Sequence, residues 1–340
     1  MSANLPTGSA NVRASAFRRP RGRSPLIWIG LLVTVGFGYI AVRDVKLSDT
    51  WDAFERSTYW PLIPALGVFA LAIVLRALRW QALFAPETRP PLRAVTRALL
   101  VGYFFNNLLP LRAGEAARVI ALRQSAGTSR GETAATIVVE RVYDVSSLVG
   151  LLFLTIFWLP DISWIGGAAV FAAVLAAGIV AAVVVLTRWR DEAVELGFRL
   201  VERLPFLPSD PMRRAVHGAA RGSSALTSVP VACRAAVWTI LSWLVMAASF
   251  WLVMLCFDLE LSPVAGLLVV IATSLSLILP SSPAAIGVFE AAVVIALDAY
   301  GVPRAEALSY ALVLHALNFF PFILAGGAIL GPQLRRGGGS

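Results

Sequence analysis

Apolar blocks of about 16 to 24 residues recur along the chain, at 26–42, 60–75, 135–158, 164–186, 236–257, 264–279, 284–299 and 307–330. A helix needs about 20 apolar residues to cross the hydrocarbon of a bilayer. In that medium every backbone N–H and C=O must be paired within the protein, so only helices and closed barrels span it. Barrel strands would show segments of roughly 10 residues with alternating polarity, a pattern this chain lacks. The blocks therefore predict an all-α, polytopic membrane protein. We expect about six full spans plus two re-entrant or broken helical regions arranged as an inverted repeat. Only 14% of the 340 residues are charged and 58% are hydrophobic, against roughly 25% charged in soluble domains. A water-soluble enzyme and a disordered chain are both excluded.

Charge sorts the segments between the blocks. The net charge is +9, and 28 of the 29 basic residues are Arg. Such a balance can signal nucleic acid. Here the arginines sit between apolar blocks, as the positive-inside rule places them, so no nucleic-acid partner is expected. Residues 1–25 hold five Arg and no acid and read as a disordered cytoplasmic tail. Arg43, Asp44 and Val45 follow the first block where a secretory signal would have a small-residue cleavage site, so that block is an uncleaved helix. The acid-rich stretch 43–59 faces outside. Arg76 to Arg97 lie inside, with 76–84 expected as a short amphipathic helix in the interface. Residues 188–235 carry eight Arg against five acids and form a cytoplasmic connection, in which Val194, Phe198 and Val201 mark an amphipathic surface helix. Arg335 and Arg336 place the tail 334–340 inside. The expectation is one transmembrane domain over 26–333, multi-pass in the inner or plasma membrane, with both termini cytoplasmic. Cys233 and Cys256, about 35 Å apart if they flank one helix, should be free thiols. With only two histidines in the chain, no metal site is expected.

Two places break the pattern. Residues 98–109 are apolar for too short a run to span, contain Asn106 and Asn107, and stop at Pro110. The block ending at 279 stops at Pro280-Ser-Ser-Pro283. The segments around these breaks are alike. Asn107-Leu-Leu-Pro-Leu-Arg-Ala-Gly-Glu115 runs into Ala-Ala-Arg-Val-Ile-Ala-Leu122, and Leu279 to Glu290 runs into Ala-Ala-Val-Val-Ile-Ala-Leu297. Each has Pro, then Gly (Gly114, Gly287), then Glu opening a helix, and Pro110 and Pro280 lie 170 residues apart. The first break enters from the cytoplasm and the second from outside. Units of opposite orientation are common in secondary transporters, which suggests repeat one over about 60–186 and repeat two over about 236–330. Chance likeness of two Ala- and Leu-rich helices is the plainer alternative. Ser282 before Pro283 suits a helix N-cap with Pro at N1. A helix start at membrane depth must face protein or a polar cavity, where an anion would fit.

Charges at membrane depth are costly and default to function. Arg112, Glu115 and Arg118 recur every three residues on one helical flank. Glu140 and Asp144 share a face at i, i+4, with Arg141 beside them. Glu290 is isolated in an apolar run. With Asn107, Ser281 and Ser282 these make the candidate substrate-binding set, and Pro110, Gly114, Pro280, Pro283 and Gly287 are the helix breaks. The arginines would hold lipid phosphate, and the carboxylates would orient them, bind an amino group or carry a proton. Structural ion pairing, such as Glu140 with Arg112, is the alternative. His315 and Asn318 are expected to make helix–helix hydrogen bonds. Gly327 and Gly331 form a G-x-x-x-G pattern that suggests close packing. The chain contains no nucleotide-binding loop, hydrolase elbow or zinc motif, so no cofactor and no catalytic residue is assigned.

At four of these places the chain resembles a known family. Leu75-Arg-Ala-Leu-Arg-Trp80, Asn107 to Arg118, Glu140-Arg-Val-Tyr-Asp144 and Pro280 to Glu290 look like the membrane region of bacterial lysylphosphatidylglycerol synthase/flippases, which also occurs alone in flippase-like membrane proteins. The resemblance covers about 27–333. It implies movement of aminoacylated or otherwise anionic phospholipid between leaflets, or of polyprenyl-linked lipid, without the domain that makes the lipid. The expected function is thus a lipid flippase or lipid-binding transporter working through a midplane polar cavity. The alternatives are an integral-membrane enzyme acting on a lipid head group and a scaffold for a cytoplasmic synthase. The expected partners are membrane lipids, with a cytoplasmic lipid-modifying enzyme and a homo-oligomer left open.

Overall fold

A computed structural model describes residues 25–109, 113–158, 229–277 and 282–337, with isolated residues between 166 and 178. Among the described residues the regular structure is helical. The helices are α1 (Pro25–Val42), α2 (Leu47–Arg56), α3 (Leu62–Ala82), α4 (Leu92–Leu108), α5 (Gly114–Ala126) and α6 (Arg130–Thr155). After the undescribed stretch come α7 (Val229–Met254), α8 (Pro263–Ser276), α9 (Val288–Asp298) and α10 (Arg304–Gly337). Pro283–Ala285 form a single 3-10 turn ahead of α9. Among the described residues three helices are long and apolar enough to cross a membrane: Leu62–Ala82, Val229–Phe257 and Arg304–Pro332.

The centre is built from α3 and α7, the most extensively packed pair. Ala65, Phe69, Ala72, Ile73, Ala77 and Trp80 recur at helical spacing along α3 and are buried. Small residues let the backbones approach, as helix packing in lipid requires. Across this seam the Ser249 hydroxyl donates to the Ala65 carbonyl at 2.8 Å. On the other side of α7, a Cβ on Gly266 of α8 would lie 2.6 Å from the Ala247 carbonyl oxygen. From there the chain of contacts runs α8 to α9, α9 to α10, and α10 to both α4 and α2. The Tyr310 hydroxyl donates to the Phe250 carbonyl at 3.0 Å and ties α10 to α7. The first helix packs on α9.

Helix α4 and helix α5 lie against each other around the first break. Their contact is tight because both facing positions are glycine. A Cβ on Gly114 would sit 1.9 Å from the Gly102 carbonyl oxygen, and one on Gly102 would sit 2.3 Å from Cγ of Arg118. The aliphatic stem of Arg118 therefore crosses the hairpin over bare backbone.

Several sequence expectations change here. The stretch 76–84 is not a separate interfacial helix. It is the end of α3 and the turn after it, with Arg79, Trp80, Leu83 and Phe84 buried. Ser282 does not open the helix after the second break. It precedes the 3-10 turn, and Gly287 caps α9 instead. Gly327 and Gly331 meet nothing, whereas a Cβ on Gly326 would lie 2.4 Å from Phe104, so the close approach of α10 to α4 falls one residue earlier. Helix α10 continues to Gly337, into the stretch expected as a tail. Pro110, Arg112, Pro280 and Ser281 lie outside the described residues, as do 1–24, the surface helix around 194–201 and most of 159–228.

Candidate functional site

A buried ion cluster joins three helices. Thr133, Thr136, Glu140 and Asp144 fall on one face of α6 at helical spacing and are all buried. From α5 comes Arg118, and from α3 comes Arg79. Glu140 lies at the centre. Its Oε2 accepts from Arg118 Nη2 at 2.7 Å and its Oε1 from Arg118 Nη1 at 3.1 Å. Arg79 Nη2 is 3.0 Å from Oε1 and Arg141 Nη2 is 3.1 Å from it. Arg79 also pairs with Asp144, which Arg141 Nη1 approaches at 3.4 Å. Glu115, at the start of α5, is 3.5 Å from Arg141 Nε. Three arginines thus meet three carboxylates. Arg79, Arg118 and Glu140 are only 1–2% exposed, and the Arg118 guanidinium carbon lies 3.9 Å from the centre of the Trp80 ring. Charges this deep are tolerable only when mutually paired and hydrogen-bonded.

At the second break the backbone is strained. Ala284 and Ala285 both take left-handed conformations (φ 57° and 56°), a region that costs a side-chain-bearing residue roughly 1–2 kcal/mol. Gly287 has φ 83°, and a Cβ there would lie 2.9 Å from the Thr34 carbonyl oxygen of α1. Glycine is required on both counts. The Ser282 N–H donates to Thr34 Oγ1 at 3.0 Å, so α1 holds the break from outside. The Gly287 N–H donates to Glu290 Oε2 at 2.6 Å. The other oxygen of Glu290 pairs with Nδ1 of His315 on α10. Glu290 is therefore not isolated, and His315 does bridge two helices. Asn318 does not, since its amide donates to the Leu314 carbonyl within its own helix at 2.9 Å. At the first break Asn106 Oδ1 accepts from the Gly114 N–H at 2.9 Å. The two helix starts are thus each capped by a neighbouring side chain, rather than offering all their N–H groups to a ligand.

Both breaks border one cavity of about 450 Å³. Asn106, Asn107 and Glu115 reach it from the first, and Ser282, Ala284 and Ala285 from the second. Arg79, Glu140, Arg141 and Asp144 form its charged side, while Phe69, Met246, Phe250 and Phe322 supply apolar wall. His315 also lines it. Arg118 does not: it lies behind Glu140, its guanidinium stacked on Trp80. Glu290 reaches the cavity only through His315. A second, mainly apolar groove of about 580 Å³ runs along α4 and α5 to Ile329 and Leu330 of α10, and shares Leu109 with the cavity.

Sequence reasoning left Arg76, Arg79, Tyr103, Asn106 and Trp243, all of which line the cavity, out of the candidate site. For the two arginines a signal was present. Nothing between 68 and 82 breaks a helix, so Arg76 and Arg79 had to continue the span, one turn apart on a face that includes Ala72 and Trp80. For Trp243 there was none, because an apolar helix offers many tryptophans equal standing.

A bundle with a polar, ion-paired cavity between interrupted helices defines an integral membrane protein with an internal polar site. The chain belongs to the family described as the lysylphosphatidylglycerol synthase TM region, which it matches over residues 27–326. It is similar to a UPF0104 membrane protein of Methanothermobacter thermautotrophicus, with 27% identity over 324 residues and 90% of each chain covered. The resemblance read from the four motifs is borne out, ending slightly before 333.

Proposed function

We propose that the protein binds a phospholipid, or a lipid with a related anionic head group, and moves it between leaflets. The observation that carries this reading is the single cavity bordered by both helix breaks. Polar and charged side chains at membrane depth need partners or water, and one cavity supplies them for both breaks. The head group occupies the cavity. The acyl chains stay in lipid, alongside the apolar groove that adjoins at Leu109. An inverted repeat of the transporter kind would match α3, α4–break–α5 and α6 with α7, α8–break–α9 and α10. In this reading the chain makes six spans in the plasma membrane with both termini cytoplasmic, and carries out no covalent chemistry.

Reconstitution tests it. Protein is placed in phosphatidylglycerol-containing vesicles with a trace of tail-labelled fluorescent lipid, and a membrane-impermeant quencher is added outside. The expected result is quenching beyond the outer-leaflet fraction, faster than in protein-free vesicles, with every lipid species unchanged in mass. A new lipid mass would instead identify an enzyme acting on the head group. Absence of both lipid transfer and bound lipid would overturn the proposal.

A further inference from the structure

The three arginines and three carboxylates of the ion cluster balance one another, and Arg76 stands outside that balance. It lies one turn before Arg79 on α3 and is half-buried. Its guanidinium carbon is 4.4 Å from the centre of the Trp243 ring, and its Nη1 donates to the Tyr103 hydroxyl at 3.3 Å. Among the described residues no carboxylate pairs with it: Glu115, Glu140 and Asp144 are taken by Arg79, Arg118 and Arg141. Arg76 Nε is buried with no acceptor, and so is the neighbouring indole N–H of Trp243. Arg76, Tyr103 and Trp243 all line the cavity.

A guanidinium held against an indole at membrane depth, with no counter-charge, is expensive until an anion completes it. We infer that Arg76 is the anion-binding group of the cavity, and that it takes a phosphodiester monoanion beside Tyr103. This rests on the lipid-binding reading above and names the chemistry within it. The pairing selects the class. Among the described residues Arg76 keeps one positive charge that no carboxylate pairs, and one phosphodiester matches it, whereas a phosphomonoester dianion would bring a second negative charge with no partner beside it. The planar fork suits two phosphate oxygens, and Trp243 holds that fork in place through cation–π contact. The ion cluster acts as a scaffold behind the site.

The test titrates purified full-length protein in a neutral detergent with dihexanoylphosphatidylglycerol, dihexanoylphosphatidic acid and inorganic phosphate, by calorimetry. The expected order has the phosphodiester tightest, with millimolar inorganic phosphate failing to displace it. Arg76→Gln should weaken phosphodiester binding by about tenfold to a hundredfold, with the melting temperature checked in the same detergent. Where that variant does not fold, Tyr103→Phe serves, with an expected loss of about fivefold. Unchanged affinity in the folded variant overturns the role of Arg76 and leaves lipid binding standing. Displacement by inorganic phosphate, or tighter binding of the phosphomonoester, overturns the phosphodiester assignment. A wild-type chain that binds none of the three removes this inference and the lipid reading together.

Discussion

Glu140→Gln is the sharpest test of the ion cluster. The substitution keeps the shape of the side chain and one acceptor oxygen, but removes the charge that three arginines share at 2.7–3.1 Å. Arg79 and Arg141 keep Asp144. Arg118 keeps no carboxylate: it is 2% exposed, and its remaining contact is the face of Trp80. Orphaning a buried charge in this way costs about 3–5 kcal/mol, and the surviving Gln oxygen places the expected loss near the lower end, about 3 kcal/mol. Unfolding of purified protein in mixed micelles by added denaturing detergent, followed by circular dichroism, reads that loss as a shift in midpoint. The double variant Glu140→Gln, Arg118→Met removes the orphaned cation and should be less destabilised than the two single losses summed. The reasoning fails if Glu140→Gln lies within about 0.5 kcal/mol of wild type, or if the double variant is simply additive.

Gly114→Ala should destabilise by at least about 1–3 kcal/mol through overpacking, because its Cβ would meet the Gly102 carbonyl oxygen at 1.9 Å; a melting temperature equal to wild type would show that the hairpin has slack. Glu290→Ala removes the cap on Gly287 and the partner of His315, with an expected loss of about 1–2 kcal/mol and faster amide exchange at the start of α9. Cys233 is exposed and Cys256 buried, so maleimide should label the first in folded protein and the second only after unfolding. Equal labelling rates would contradict the packing of α7.

How much of this was legible in the sequence varies by element. The apolar blocks around α3, α7 and α10 were plain, because hydrocarbon forces long uninterrupted runs. The breaks were legible from Pro283, Gly114 and Gly287, since those residues break helices or permit unusual backbone whatever surrounds them. The charged residues were visible but their partners were not. Arg118 and Glu140 are 22 residues apart, and the helical period says which residues share a face without saying which faces meet. Arg76 and Arg79 were misplaced for a different reason. Two arginines after an apolar run read as an interfacial edge, yet burial against α6 and α7 makes them interior. The capping of α9 by Gly287 rather than Ser282 was beyond reach, because it turns on backbone strain at Ala284 and Ala285.

The ion cluster also limits which parts of the molecule can move. Helices α3, α5 and α6 share three arginines and three carboxylates, and pulling α3 or α5 away from Glu140 would orphan a buried charge at a cost of about 3–5 kcal/mol. Any gating motion that opens the cavity must therefore carry these three helices as a rigid body. The apolar cavity walls come from α7 and α10, with Met246, Phe250 and Phe322, so moving those helices strands no charge of the ion cluster but must break the close packing of α7 on α3 and the hydrogen bond from Tyr310 to Phe250. The strained turn at Ala284 and Ala285 borders the same cavity, and Ser282 just ahead of it is tied to Thr34 of α1, so the first helix would have to shift with it.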